Sequence, residues 1–186
     1  AVFTINRPKA MNAFTAEMLH AMDAAFAEFN DDDDLLVAIL TGAGEKCFSS
    51  GMDLKEAIPM LQSGDEMGYE DHTKRPFSDV FKPIIAAING HCIAGGMEFM
   101  QGTDIRIAAE HATFGLGEVR WGIIPTGGSH VRLPRQIPWA VAMEMLLMGK
   151  PIDAARAYDI GLINAVVEGD KLMEEAMGLA TRLANG

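Results

Sequence analysis

Glu98 stands in an otherwise apolar stretch, HCIAGGMEFM (residues 91–100), directly behind Gly95 and Gly96. A carboxylate in such a setting is expensive unless it is paired or put to use, and the use that suits it is general acid or base chemistry. The glycine pair reads as a helix start, where the first N–H groups lack intrahelical partners. A helical side chain leans back toward the N-terminus, which carries this carboxylate to the mouth of whatever those N–H groups face. Apolar surroundings push the carboxyl pKa up and the helix dipole pushes it down, so both protonation states stay open. A second glycine-bearing junction, SSGMD (49–53), also opens a helix. Two such junctions converging on one oxygen would suit an enolate or oxyanion. Gly51, Gly95 and Gly96 would serve tight turns and close helix–sheet packing equally well, and both readings stand at the level of pattern.

Other chemistries find no support. None of Ser49, Ser50, Ser63, Ser78 or Ser129 has glycine two places away on both sides, as a nucleophile elbow requires. GLGEVR begins like a dinucleotide fingerprint but ends on Arg120, and Gly149–Lys150 is followed by proline rather than by the Ser or Thr of a P-loop. His20, His72, His91, His111 and His130 are scattered without metal-ligand spacing, so no metal site is expected.

The elements that must position Glu98 follow from periodicity. Residues 2–5 read as a short strand, and apolar residues from Met18 to Phe29 recur at helical spacing, predicting an amphipathic helix over 15–30. Residues 35–41 and 84–88 are near-continuous apolar runs, suited to strands buried on both faces of a parallel sheet. Residues 105–108 and the segment GLINAVV (161–167) are further strands. A helix is expected near Asp53, and others over 129–136, 139–148, 153–159 and 170–183, whereas 63–73 is polar and reads as a mobile stretch. The alternation of strand and helix predicts an α/β architecture in one domain, residues 1–186.

Fifteen basic against 26 acidic side chains give a net charge of -11, which repels nucleic acid and anionic membranes. No run of uncharged apolar residues is long enough to span a bilayer. Cys47 and Cys92 lie far apart without a CxxC pair, so a reducing, cytoplasmic setting is the expectation.

NRPKAMNAF, CFSSGMDLKE, AAINGHCIAGGMEFMQGTDIRIA, FGLGEVRWGIIPTGG and ARAYDIGLINAVV, in that order along almost the whole chain, together resemble the enoyl-CoA hydratase/isomerase (crotonase) superfamily. The resemblance implies a crotonase-like spiral of ββα units, an acyl-CoA thioester substrate, no separate cofactor because coenzyme A is part of the substrate, and a homotrimer or dimer of trimers. Members normally continue into a C-terminal helical trimerisation region; it is missing from a chain that stops at Gly186, which therefore reads as part of a longer protein.

Carried over position by position, the resemblance puts the oxyanion N–H groups on Met52 and Gly95. It also matches Glu98 and Glu118 to the two acidic positions at which hydratases carry glutamate. Without it, Glu118 would read as a surface loop residue. The expected reaction is addition of water across a 2-enoyl-CoA double bond, Glu98 activating water and Glu118 handling the proton at Cα. An enoyl-CoA isomerase, a 3-hydroxyacyl-CoA dehydratase and a non-catalytic acyl-CoA-binding relative are the alternatives. Lys9, Asp53, Leu54 and Lys55 match positions of the substrate and CoA site. Met52 stands where the family often has alanine, and Gly117 where it often has proline.

Overall fold

The computed structural model describes residues 1–63 and 76–186, with the backbone alone for 60–62. The polar stretch 63–73 therefore lies outside the described residues from 64 onward, as does His72. A first strand, β1 (Val2–Ile5), leads into helix α1 (Ala16–Asp31). The Thr15 hydroxyl starts that helix by accepting the Met18 N–H at 3.2 Å. Thr15→Ala removes this cap, and the expected loss is about 1 kcal/mol of stability, read as a lower urea midpoint with an unchanged slope.

A strand–strand–helix unit then recurs. It runs β2 (Ala38–Gly42), β3 (Cys47–Ser49) and α2 (Leu54–Ser63), then β4 (Ile84–Ile88), β5 (His91–Ile93) and α3 (Gly95–Gln101). The third pass is β6 (Ile105–Ala109) and β7 (Thr113–Gly115), followed by a 3-10 turn (Glu118–Trp121) and α4 (Ser129–Gln136). The chain continues through α5 (Trp139–Met148), β8 (Ile152–Asp153), α6 (Ala154–Asp159), β9 (Ala165–Val167) and α7 (Leu172–Ala184).

The first strand of each unit enters a parallel sheet ordered β1-β2-β4-β6-β9, and the second enters a smaller sheet ordered β3-β5-β7-β8, in which only β8 is antiparallel. This is the spiral of ββα units. The apolar runs are explained by burial on both faces. Ile39, Ile85 and Ile107 meet Leu172 and Ala176 of α7, while Leu40, Ala86, Ile88 and Ala108 face the main core with Phe26, Phe29, Met97 and Met100. Ring contacts Phe3–Phe26, Phe26–Phe77, Phe77–Phe99 and Phe99–Phe14 tie α1 to α3.

The chain crosses between sheets so tightly that a Cβ on Gly90 would sit 2.3 Å from the Lys46 carbonyl oxygen. Asn89 stitches successive crossings: its Oδ1 accepts the Gly42 N–H at 3.1 Å and its Nδ2 donates to Gly44 O at 2.6 Å. Among the described residues no helix is long and apolar enough to cross a membrane.

Several expectations change in detail. The second strand starts at Ala38 rather than at 35, and the last one is confined to Ala165–Val167 because Gly161, at φ 75°, sits in a turn. The junctions before α2 and α3 are not single strand-to-helix turns. Each contains a three-residue strand of the small sheet, too short to show a period in sequence.

Candidate active site

One cavity of about 180 Å³ is lined by Met52, Gly95, Glu98 and Glu118, together with apolar side chains that include Ile93, Trp121 and Ile124. It lies where the second and third units meet the first. β3 and β5 run side by side, so the turns that follow them, at Gly51–Met52 and Ala94–Gly95, come into contact. A Cβ placed on Gly95 would lie 3.5 Å from the Met52 nitrogen, and one on Gly51 would lie 2.7 Å from the Gly95 nitrogen.

Among the described residues neither N–H group has a partner, for local reasons. The short parallel bridge between Phe14 and Met52 uses the Gly51 carbonyl and the Asp53 N–H, not the N–H of Met52. Gly95 is the first residue of α3, one of those whose N–H has no partner within its helix. Ala94 just before it has φ 51° and ψ −122°, a conformation that costs a residue with a Cβ about 1–3 kcal/mol. Its N–H is held by the Gly115 carbonyl at 2.9 Å, which fixes the direction in which Gly95 presents its own.

Glu98 is 7% exposed, in the first turn of α3. Its Oε1 accepts the Ser129 N–H, at the start of α4, at 3.2 Å. The Gly127 backbone and the Ser129 hydroxyl also favour its ionised form. Gly127 has to be small here: a Cβ would meet Glu98 Oε2 at 2.5 Å. The costly charge thus plugs the N-terminus of a neighbouring helix. Burial nevertheless dominates and raises the Glu98 pKa, against the lowering effect of those hydrogen bonds and of His130.

Glu118 is 8% exposed and begins the 3-10 turn. Burial pushes its carboxyl up to about 7, its own backbone N–H opposes, and the charge of Glu98 adds to the rise. Its Oε2 is buried without a hydrogen-bond partner among the described residues. The two carboxyls therefore differ: one is surrounded by donors, the other carries a bare oxygen. Such a difference separates the acid from the base of a pair.

The other expected positions are distributed unevenly. Leu54 lines the cavity and is 47% exposed. Asp53 is engaged at the start of α2, accepting from Arg7 Nη2 at 3.1 Å and from the Lys55 N–H at 3.1 Å, contacts that lower its pKa. Lys9 and Lys55 are exposed and do not line the cavity. Sequence reading passed over Gly127 and Ser129, which border Glu98, and Gln101, which bonds to Ser129. The available signal was the run TGGS ahead of a helix, a second set of free N–H groups within reach of a buried carboxylate.

The sequence profile of the enoyl-CoA hydratase/isomerase family matches residues 1–186. The chain is 43% identical to enoyl-CoA hydratase EchA19 of Mycobacterium tuberculosis, covering 100% of this chain and 71% of that protein. It is 42% identical to carnitinyl-CoA dehydratase of Salmonella typhi, covering 98% and 70%. A solved carnitinyl-CoA dehydratase from Mycobacterium avium 104 superposes with a TM-score of 0.90 at 38% identity, covering 100% of this chain and 73% of the other. The two-sheet spiral is the crotonase fold. The chain belongs to the enoyl-CoA hydratase/isomerase family.

Proposed function

We propose that this protein adds water across the double bond of a 2-enoyl-CoA thioester, with Glu98 and Glu118 as the general base and acid. The observation that carries the reading is one small cavity lined by two buried glutamates of unlike environment and by two spare backbone N–H groups. The N–H groups of Met52 and Gly95 hold the thioester carbonyl and stabilise the negative charge it gains, an effect worth on the order of 3 kcal/mol per donor. Ionised Glu98 takes a proton from water as its oxygen bonds to Cβ. The C=C electron pair moves toward the carbonyl, and protonated Glu118 delivers a proton to Cα. Glu98 then holds one proton and Glu118 has lost one. Return of that proton through solvent resets the pair.

Run backward, the same steps dehydrate a 3-hydroxyacyl-CoA, and the similarity to proteins named carnitinyl-CoA dehydratase favours testing that direction too. Lys9, Asp53, Leu54 and Lys55 are proposed for the substrate and CoA side; for Asp53 this means aligning Arg7 and the start of α2. No metal and no separate cofactor enter the scheme. The working assembly is proposed as a homotrimer or dimer of trimers, and its setting as the cytoplasm; Trp139 and Leu147 of α5, 66% and 68% exposed, are apolar side chains that a subunit interface would cover. The test follows loss of the conjugated-enone absorbance of crotonyl-CoA with the full-length protein and with Glu98→Gln and Glu118→Gln. Undiminished turnover in both variants would sink the two-carboxylate mechanism. Tight binding of a CoA ester without turnover in the unmodified protein would replace it with a binding role.

A further inference from the structure

α3 carries a second buried polar side chain one turn beyond Glu98. Gln101 is 2% exposed on a helix whose other buried residues are, apart from Gly96 and Glu98, wholly apolar. Residues three apart on a helix are neighbours, so Gln101 and Glu98 flank the same spot on α4. That spot is Ser129, which is fully buried. Gln101 Nε2 donates to Ser129 Oγ at 2.8 Å, and Ser129 in turn donates its backbone N–H to Glu98 Oε1 at 3.2 Å.

A merely space-filling residue at 101 would be apolar. Gln101 instead keeps its Oε1 buried without a partner among the described residues, an arrangement that destabilises the fold. What the amide gains is the single bond to Ser129. With one lone pair of the serine oxygen occupied by an N–H, the hydroxyl hydrogen is directed away from Gln101, and Glu98, already bound by the N–H of the same serine, is the carboxylate whose ionised form that hydroxyl favours. The backbone of Gln101 is also anchored. Its carbonyl accepts from Gln136 Nε2 at 3.0 Å and from Arg106 Nη2 at 3.2 Å, and Arg106 Nη1 donates to Gln136 Oε1 at 3.0 Å.

We propose that Gln101 and Ser129 are positioning residues that hold the Glu98 carboxylate ionised and in one rotamer through the relay Gln101 N–H to Ser129 O–H to Glu98. The inference rests on the reading of Glu98 as the base. The hydroxyl is a neutral donor that favours the charged form, offsetting part of the burial. Other groups act on Glu98 as well: the backbone of Ser129 and Gly127 and the charge of His130 also favour its ionised form, and the pair adds to them. Glu118 shares the cavity and opposes its charge. His130 Nδ1 is paired with the Pro125 carbonyl, and Arg132 Nη2 with the Pro76 carbonyl. On the adjoining strands, Cys47 Sγ bonds to the His91 carbonyl, the His91 ring bonds to Thr113, and Cys92 is kept neutral by burial.

Ser129→Ala keeps the N–H that binds Glu98 and removes only the hydroxyl; Gln101→Leu keeps the volume and removes the amide. For crotonyl-CoA hydration, each variant is expected to lower kcat/KM roughly 10- to 100-fold. Each is also expected to move the acid limb of its pH profile upward, while affinity for unreactive butyryl-CoA stays unchanged. In a Glu98→Gln background, adding Ser129→Ala should have no further effect on rate. A slow Glu98→Gln enzyme beside Ser129→Ala and Gln101→Leu enzymes with unmoved acid limbs would overturn the relay and leave the base intact. A Glu98→Gln enzyme of undiminished rate would instead remove the reading beneath it. Should one variant fail to fold, the other decides the question by the same limb.

Discussion

Replacing Glu118 by glutamine slows hydration of crotonyl-CoA by roughly 100- to 10,000-fold and abolishes the fall of kcat/KM above neutral pH. The amide matches the carboxyl in shape but cannot deliver a proton to Cα. In the unmodified protein, burial pushes Glu118 up to about 7, with the charge of Glu98 adding to the rise, so the protonated acid is lost as pH climbs through neutrality. The same shift has a consequence for stability with the opposite ranking of the two proteins. Because ionisation is disfavoured in the folded state, the unmodified protein loses stability as pH rises from the ordinary glutamate range through about 7, and suffers no such penalty below it. Glu118→Gln lacks that slope, so it should be the slower enzyme and yet gain on the unmodified protein in melting temperature between pH 5 and pH 8. A variant that keeps its rate at pH 7, or whose melting temperature tracks the unmodified protein across that range, would contradict the assignment.

Gly51→Ala is expected to cost roughly 100- to 1,000-fold in kcat, with a smaller change in KM, and to lower the melting temperature. Two effects coincide at this glycine. Its φ of 89° is one that a residue with a Cβ adopts only under strain of about 1–2 kcal/mol. The added methyl would also sit 2.7 Å from the Gly95 nitrogen and 3.0 Å from the Ala94 Cβ. The backbone must part, which separates the two N–H groups proposed to share the thioester oxygen. Gly178→Ala is the control. It lies within α7, where the nearest atom to an added Cβ is Arg182 Nη1 at 3.6 Å, so alanine should stabilise by about 0.5–1 kcal/mol and leave the rate alone. Equal losses of kcat in both variants would mean that the assay reports general fragility rather than the site.

Reading the sequence recovers what repeats over enough residues. The helices at Ser129–Gln136 and Trp139–Met148 are placed to the residue, and the buried runs of β2 and β4 announce a parallel sheet. The small sheet escapes because its strands, Cys47–Ser49, His91–Ile93 and Thr113–Gly115, are three residues long. No periodicity can be read from three residues. Glu98 is conspicuous because its neighbours are apolar. Glu118 is not, since the cavity it lines is shared with residues distant in sequence, among them Met52 and Glu98. The same holds for Arg106, whose two Nη groups donate to the carbonyls of Gln101, Thr103 and Leu162, whose Nε is buried without a partner among the described residues, and whose pKa is lowered to about 10 by burial. Such contacts are made by topology, and a linear pattern does not display them.

The order β1-β2-β4-β6-β9 means that every strand of the large sheet lies beside the one laid down before it. During synthesis each new strand therefore finds its template already present at a growing edge, and no gap has to be reopened for a later arrival. Protection comes in a different sequence. The face bearing Ile39, Ile85 and Ile107 is covered by α7, which follows all five strands. A nascent chain halted before Leu172 would carry a nearly finished sheet with a bare aliphatic face, the kind of surface that draws chaperones or other stalled chains. The moment of greatest exposure thus follows the last strand of the sheet, and the helix that comes next ends it.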